Sequence, residues 1–244
     1  MTRTERSSKQ AIDDTTVRQA ATQPRLTTLI LLSALAVLPV NMILPSLPKI
    51  STAFHADFAL VNLSVAGFSI VTAFLEAIGG AISDRFGRRP VVLTALAIFI
   101  VASIGCVLAP DIGTFLVFRS MQACIGPCYS VALVIIKETS DEREAASKFG
   151  YLAMGWALAP MVGPLFGGSL DEFFGWRASF VVLAILGIAA FLLSMRELKG
   201  SKAPTSNGRR NYLASYGQLL SSTQFWAYTL CMACSMGVLY IFLG

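Results

Sequence analysis

Gly79–Pro90 reads GGAISDRFGRRP, and 88 positions further on Gly167–Ala178 reads GGSLDEFFGWRA. Five of the twelve positions are identical, and Ala/Ser, Ile/Leu and Asp/Glu pairs account for three more. Each copy ends an apolar run on paired glycines, then turns through an acidic residue, an aromatic, a glycine and an arginine into the next apolar run. The same shift carries Leu26 to Thr114, Pro39 to Pro127 and Val91 to Ser179, so three apolar runs lie over the next three.

Working outward, seven apolar runs can be read: Leu26–Leu47, Leu60–Ser83, Val91–Ala109, Ile112–Ile136, Lys148–Leu170, Ala178–Met195 and Phe225–Leu243. About 20 such residues cross the hydrocarbon core as a helix. Only 14% of the 244 residues are charged and 55% are hydrophobic, against about 25% charged in a soluble domain. The chain is therefore expected to be an all-α integral membrane protein. This argues against a cytosolic enzyme, a secreted disulfide scaffold and a nucleic-acid module. The first run is too long for a cleaved signal, and further spans follow it.

Lys and Arg set the sidedness. The N-terminal tail and every second connection hold sixteen of them, while the alternate connections hold only Lys49 and Arg177. Cytoplasmic segments take the positive excess, so the N-terminus is expected inside, and the net charge of +5 is a topology signal rather than a nucleic-acid footprint. Residues 1–25 read as a disordered cytoplasmic tail and 26–195 as a six-helix bundle. Residues 196–224, with the stretch GSKAPTSNGRRN, read as a cytoplasmic linker, and 225–244 as a seventh helix of a half that the chain cuts short. The two copies of the repeated segment then face opposite sides. An inverted three-plus-three repeat is the organisation of secondary transporters, with the substrate path at the repeat interface.

Polar groups inside the spans mark candidate sites. At 100° per residue, Asn62, Ser69, Thr72, Glu76 and Ser83 share one face of the second span, and Glu76 is the carboxylate that sits well inside a span. A charged side chain there costs roughly 2.5–3.5 kcal/mol, a cost that protonation avoids. Glu76 therefore reads either as a proton carrier or cation contact, or as a protonated structural group. In the fourth span Arg119, Gln122, Gly126, Tyr129 and Ser130 share a face. Arg119 keeps its charge, so it must find a carboxylate, backbone carbonyls or water, in coupling or as an anchor. Asn41 lies at similar depth between Pro39 and Pro45, which bend the first span. Gly155, Ala159, Gly163 and Gly167 step by four with Pro160 and Pro164 between them, a pattern of close helix packing or of a helix shaped for a moving interface. Tyr129, Trp156 and Tyr228 are cavity candidates. Cys106, Cys124, Cys128, Cys231 and Cys234 lie in apolar spans without a ligand cluster, so no metal is expected.

These residues resemble a known family. Gly80-x-x-x-Asp84-Arg85-Phe86-Gly87-Arg88-Arg89 resembles the signature loop of the major facilitator superfamily. Arg119-x-x-Gln122-x-x-x-Gly126 resembles the fourth-span motif of its proton-coupled members, and Gly155 with Gly163-Pro164-x-x-Gly167-Gly168 resembles its antiporter motif. SDRFGRRP, LPSLPKI and GWRASF are most similar to the Bcr/CflA group of bacterial drug–proton antiporters. The resemblance implies the six-helix N-terminal bundle of that fold and a gating role for the loop, with Asp84 and the arginines clustering on Glu138 or Asp141. It further implies proton-driven efflux of small lipophilic compounds across the bacterial inner membrane, with no cofactor beyond the proton gradient and no enzyme activity. Asn41 stands where the family commonly has an acid, and Glu76 where Gln is usual, which suggests that proton handling has moved to the second span. The family has twelve spans, so the competing expectation is an inactive truncated transporter, or a half-unit that assembles with a second half or a second copy of itself.

Overall fold

Long apolar runs in lipid satisfy their backbone groups internally only as helices, and the computed structural model follows that rule over residues 24–198 and 221–243, the part of the chain it describes. The expectations for residues 1–23 and most of the linker lie outside it. Nine α-helices are described: α1 Leu26–Ile43, α2 Leu47–Phe54, α3 Phe58–Phe86, α4 Arg88–Leu108, α5 Ile112–Gln122, α6 Pro127–Thr139, α7 Glu142–Phe174, α8 Arg177–Glu197 and α9 Thr223–Leu243. Spans 1 and 4 are composite, α1–α2 and α5–α6. Six spans are long and apolar enough to cross a membrane among the described residues. Helix α9 belongs to a separate compact unit from the rest.

The bend expected at Pro45 is a 3-10 turn at Leu44–Ser46, while Pro39, expected to bend the span too, is absorbed in α1; a second break, in span 4, was not expected. Pro127 has no N–H to offer the Ala123 carbonyl, and the Gly126 N–H takes it instead at 3.1 Å, so span 4 passes through a 3-10 turn at Ala123–Ile125. In span 1, Pro48 leaves the Leu44 carbonyl to the Leu47 N–H. The chain continues as α2 to Phe54, which places Lys49 on a helix and not in a connection. Pro39, Pro160 and Pro164 lie within uninterrupted helices. Asp57 caps α3 through the Ala59 N–H at 3.1 Å, and Asp111 caps α5 through the Thr114 N–H at 2.9 Å.

The repeat is built into the backbone and the packing. Gly87 (φ 89°) and Gly175 (φ 80°), 88 positions apart, are the positive-φ glycines among the described residues, a conformation that a Cβ disfavours. Arg89 Nη2 donates to the Met195 carbonyl at 3.4 Å, and its repeat-mate Arg177 donates through Nε to the Val107 carbonyl at 3.0 Å. Val107 and Met195 are themselves repeat-mates, so each copy reaches into the other in the same way, as across a two-fold axis. At Gly187 a Cβ would lie 3.1 Å from the ring of Phe99, its own counterpart 88 residues earlier.

Because lipid is as apolar as leucine, close approach holds such helices together. A Cβ on Gly79 would lie 2.7 Å from Pro127 Cβ, one on Gly163 2.7 Å from Asn41 Cβ, and one on Gly167 2.8 Å from the Met42 carbonyl carbon. Span 2 thus seats on the bend of span 4, and span 5 on span 1. At the end of the bundle where spans 4 and 6 begin, Phe54, Phe115, Trp176 and Phe180 form an aromatic cluster with ring centroids 5.4–6.1 Å apart. Spans 2 and 5 are the least buried of the six, and large apolar side chains such as Ile70, Phe74, Met161 and Leu165 stand exposed along them.

Candidate functional site

Arg119 is fully buried on α5. Its Nη1 donates to Gln122 Oε1 at 2.7 Å and its Nη2 to the Pro39 carbonyl at 3.2 Å. The guanidinium carbon lies 4.7 Å from the Phe68 ring centroid and 5.8 Å from that of Phe180, where ring quadrupoles attract the cation. Gln122 Nε2 donates onward to Ser103 Oγ at 2.7 Å, and Ser103 Oγ donates to the Phe99 carbonyl, also at 2.7 Å. The charge is thus held by carbonyl dipoles and aromatic faces drawn from spans 1, 2, 4 and 6, with span 3 orienting Gln122 through Ser103. A backbone carbonyl, one of the three partners the sequence allowed, is the one Arg119 finds.

Asn41 is buried beside Gly163 and donates to the Val37 carbonyl at 2.9 Å, leaving Oδ1 without a partner. Asn41 and Gln122, read as cavity residues, are both packed inside the bundle and away from its open face. Nothing in their spacing could tell inside from cavity, since both are polar positions on a helix that faces its neighbours.

Glu76 lies on the open face. Asn62 and Ser69 are exposed on the same helix, Thr72 is half-buried, and Ser83 is turned in and donates to the Gly80 carbonyl. Gly126, at the bend of span 4, receives this stripe: a Cβ there would lie 2.5 Å from Thr72 Cγ2 and 3.5 Å from Glu76 Cγ. Tyr129, one turn beyond, is half-buried on the same span, and its ring centroid is 6.1 Å from that of Trp156 on span 5. Glu76, Thr72, Gly126, Tyr129 and Trp156 therefore form one half-open wall across spans 2, 4 and 5. Tyr228 is exposed on α9, in the separate unit.

The glycines of span 5 face span 1. Gly155 lies near Ile30, Gly163 near Asn41, Gly167 near Met42 and Gly168 near Pro45, while Pro160 and Pro164 are half-buried between them. In the loop between spans 2 and 3, Arg88 is buried. It pairs through both terminal nitrogens with Glu138 and lies 3.6 Å from Asp84. Glu138, one of the two acids the sequence offered, takes the arginine; Asp141 instead stands at the start of α7. Arg85 lies over the Phe86 ring at 5.5 Å, and the Gly80 position opens onto free space. Ser103, Phe68 and Phe180 escaped the sequence reading. A lone serine at Arg119's depth was their one signal.

Comparison with known proteins places this geometry. The sequence model of the Major Facilitator Superfamily matches residues 29–244. A chloramphenicol resistance protein of Pseudomonas aeruginosa is 32% identical over 213 residues, 85% of this chain and 50% of that protein. The multidrug resistance protein MdtL of Escherichia coli O127:H6 is 32% identical over 173 residues, 70% of this chain and 44% of its own length. The chain spans about half the length of the curated relatives it matches. Among solved structures, a bacterial homologue of the human lysosomal transporter Spinster, inward-facing and occupied, superposes with a TM-score of 0.65 at 21% identity, over 78% of this chain and 47% of that one. The human organic anion transporter MFSD10 gives 0.59 at 18%, over 74% and 47%.

Proposed function

The chain belongs to the Major Facilitator Superfamily, and from that premise we propose that it acts in proton-coupled export of small lipophilic compounds across the bacterial inner membrane, with its N-terminus in the cytoplasm. The observation that carries this reading is the separation of the two charges embedded in the spans. Arg119 is buried among neutral partners and cannot give up its proton. Glu76 stands on the open wall beside Thr72, Gly126, Tyr129 and Trp156. A carboxylate on a membrane-embedded wall is costly while charged, so it takes a proton when the wall faces lipid or protein and releases it when water enters. That cycle couples wall exposure to the proton gradient. The aromatic pair Tyr129–Trp156 supplies the apolar surface for a lipophilic substrate, and the resistance phenotypes named for the relatives support that substrate class. The Arg88–Glu138–Asp84 cluster would latch one access state, and its opening would let the other form.

Inverted vesicles carrying the wild-type chain should release protons on addition of a lipophilic cationic dye, and Glu76→Gln should abolish that release. Retained proton-driven export by Glu76→Gln would remove Glu76 from coupling. A second reading is favoured by the exposed apolar faces of spans 2 and 5 and by the half-length match: a unit that transports only when joined to another half. Export that appears only when a C-terminal half from a relative is co-expressed would select that reading.

A further inference from the structure

A groove next to the signature loop takes no part in the transport reading. Leu75, Ile82 and Phe86 line one face of span 2, Pro90, Thr94 and Ile98 line the facing side of span 3, and the bend before Pro127 forms the floor. It encloses about 370 Å³, within the usual size of small-ligand sites, roughly 300–1,000 Å³. Its length is the informative quantity. From Leu75 to Phe86 the helix rises about 16 Å at 1.5 Å per residue, half of a hydrocarbon core about 30 Å thick. A membrane-spanning helix would need a groove of the full thickness. This one runs from the loop to mid-membrane and stops, which is the reach of one acyl chain in one leaflet.

Charge at the mouth selects the headgroup. Arg88 is committed to Glu138 and Asp84, but Arg85 is exposed, with its guanidinium held 5.5 Å above the ring of Phe86, which also lines the groove. Arg89 adds a second positive charge at the same end. An arginine fork matches phosphate oxygens in pairs. We propose that this groove binds one acyl chain of an anionic glycerophospholipid, with its phosphate on Arg85 at the loop end. The leaflet is the cytoplasmic one on the orientation proposed above; the site itself does not depend on transport.

The test uses the purified chain in nanodiscs containing a phosphatidylglycerol with a diazirine near the end of one acyl chain. Photo-adducts per residue on the groove residues Leu75, Ile82, Thr94 and Ile98 should exceed those per residue on the exposed apolar residues Ile185 and Leu192 of span 6 by about tenfold, equivalent to about 1.4 kcal/mol of preference. Thr94→Trp, which fills the groove from its exposed side, should bring the two to the same level. Arg85→Gln should abolish the advantage of phosphatidylglycerol over a phosphatidylcholine probe. Even labelling of spans 2, 3 and 6 in the wild type would overturn the site, whatever the variants do. Equal labelling by both probes in the wild type would overturn the anionic headgroup.

Discussion

Residues 83–90 and 171–178 turn through nearly the same backbone, with Gly87 at φ 89°, ψ 153° and Gly175 at φ 80°, ψ 165°. The residue after each glycine is buried to the same degree, 4% exposed at Arg88 and 6% at Trp176. Their chemistry is opposite. Arg88 is held by two carboxylates, and Trp176 by Phe54, Phe115 and Phe180. One fold device thus ends in an ion pair at one face of the membrane and in an aromatic plug at the other. The carboxylates of this pair, Asp84 and Glu138, border water and can be hydrated when the arginine is gone. An aromatic cluster has no such substitute, so the two ends should differ in how they respond to salt and to loss of their central residue.

The largest expected effect tests that asymmetry directly. Trp176→Ala should cost about 3 kcal/mol, the usual scale for removing a large buried aromatic, and the loss should not depend on salt. Arg88→Met should cost less, about 1 kcal/mol, because the carboxylates it leaves behind, Asp84 at 32% and Glu138 at 42% exposed, can be hydrated rather than stranded as buried charges. Thermal unfolding of the purified chain in detergent, at low and high salt, measures both. Equal losses would erase the distinction between latch and plug.

A second pair of repeat-mates sharpens the comparison. Gly167→Ala puts a Cβ against the backbone of Met42, whereas Gly79→Ala puts one against the ring of Pro127. The Pro127 ring is tied to its own backbone and yields little, but the Met42 carbonyl group is approached more closely still. Overpacking typically costs about 1–3 kcal/mol, with Gly167→Ala expected near the top of that range and Gly79→Ala near the bottom. The same unfolding assay ranks them, and a reversed order would mean that span 2, not span 5, is the tighter seat.

How much of this was legible in the sequence follows from what each feature depends on. The spans, the repeat and the paired turn glycines depend on local pattern, and they could be read from the apolar runs together with GGAISDRFGRRP and GGSLDEFFGWRA. The bend at Ala123–Ile125 was half-legible: Pro127 was visible, but whether a membrane helix absorbs a proline or breaks at it depends on its neighbours, as Pro39 and Pro160 show by being absorbed. The aromatic plug was not legible, because its members come from three spans and meet only through packing. For the same reason the spacing that put Gln122 and Tyr129 on one face could not show that Gln122 would be consumed by Arg119 and Ser103 while Tyr129 stayed on the open wall.

The smallest expected effect concerns the helix starts at the aromatic face, where Asp57 and Asp111 cap spans 2 and 4; at the other face Asp141 opens span 5 without a side-chain cap bond. Asp111 accepts from the Thr114 backbone N–H at 2.9 Å and from the Thr114 hydroxyl at 2.7 Å. These bonds, the backbone one first, hold its carboxyl below the ordinary value of 3.8. The helix start also favours negative charge. A carboxyl whose folded value is depressed contributes stability that is present above the unfolded value and is lost as pH falls through the folded one. Asp111→Asn keeps an acceptor oxygen for the Thr114 N–H but cannot titrate. The difference in unfolding midpoint between wild type and Asp111→Asn should therefore be small and constant above the ordinary carboxylate range, and should shrink as pH falls below it. A difference that stayed constant into acid would mean that the bonds from Thr114 do not depend on the charge of Asp111.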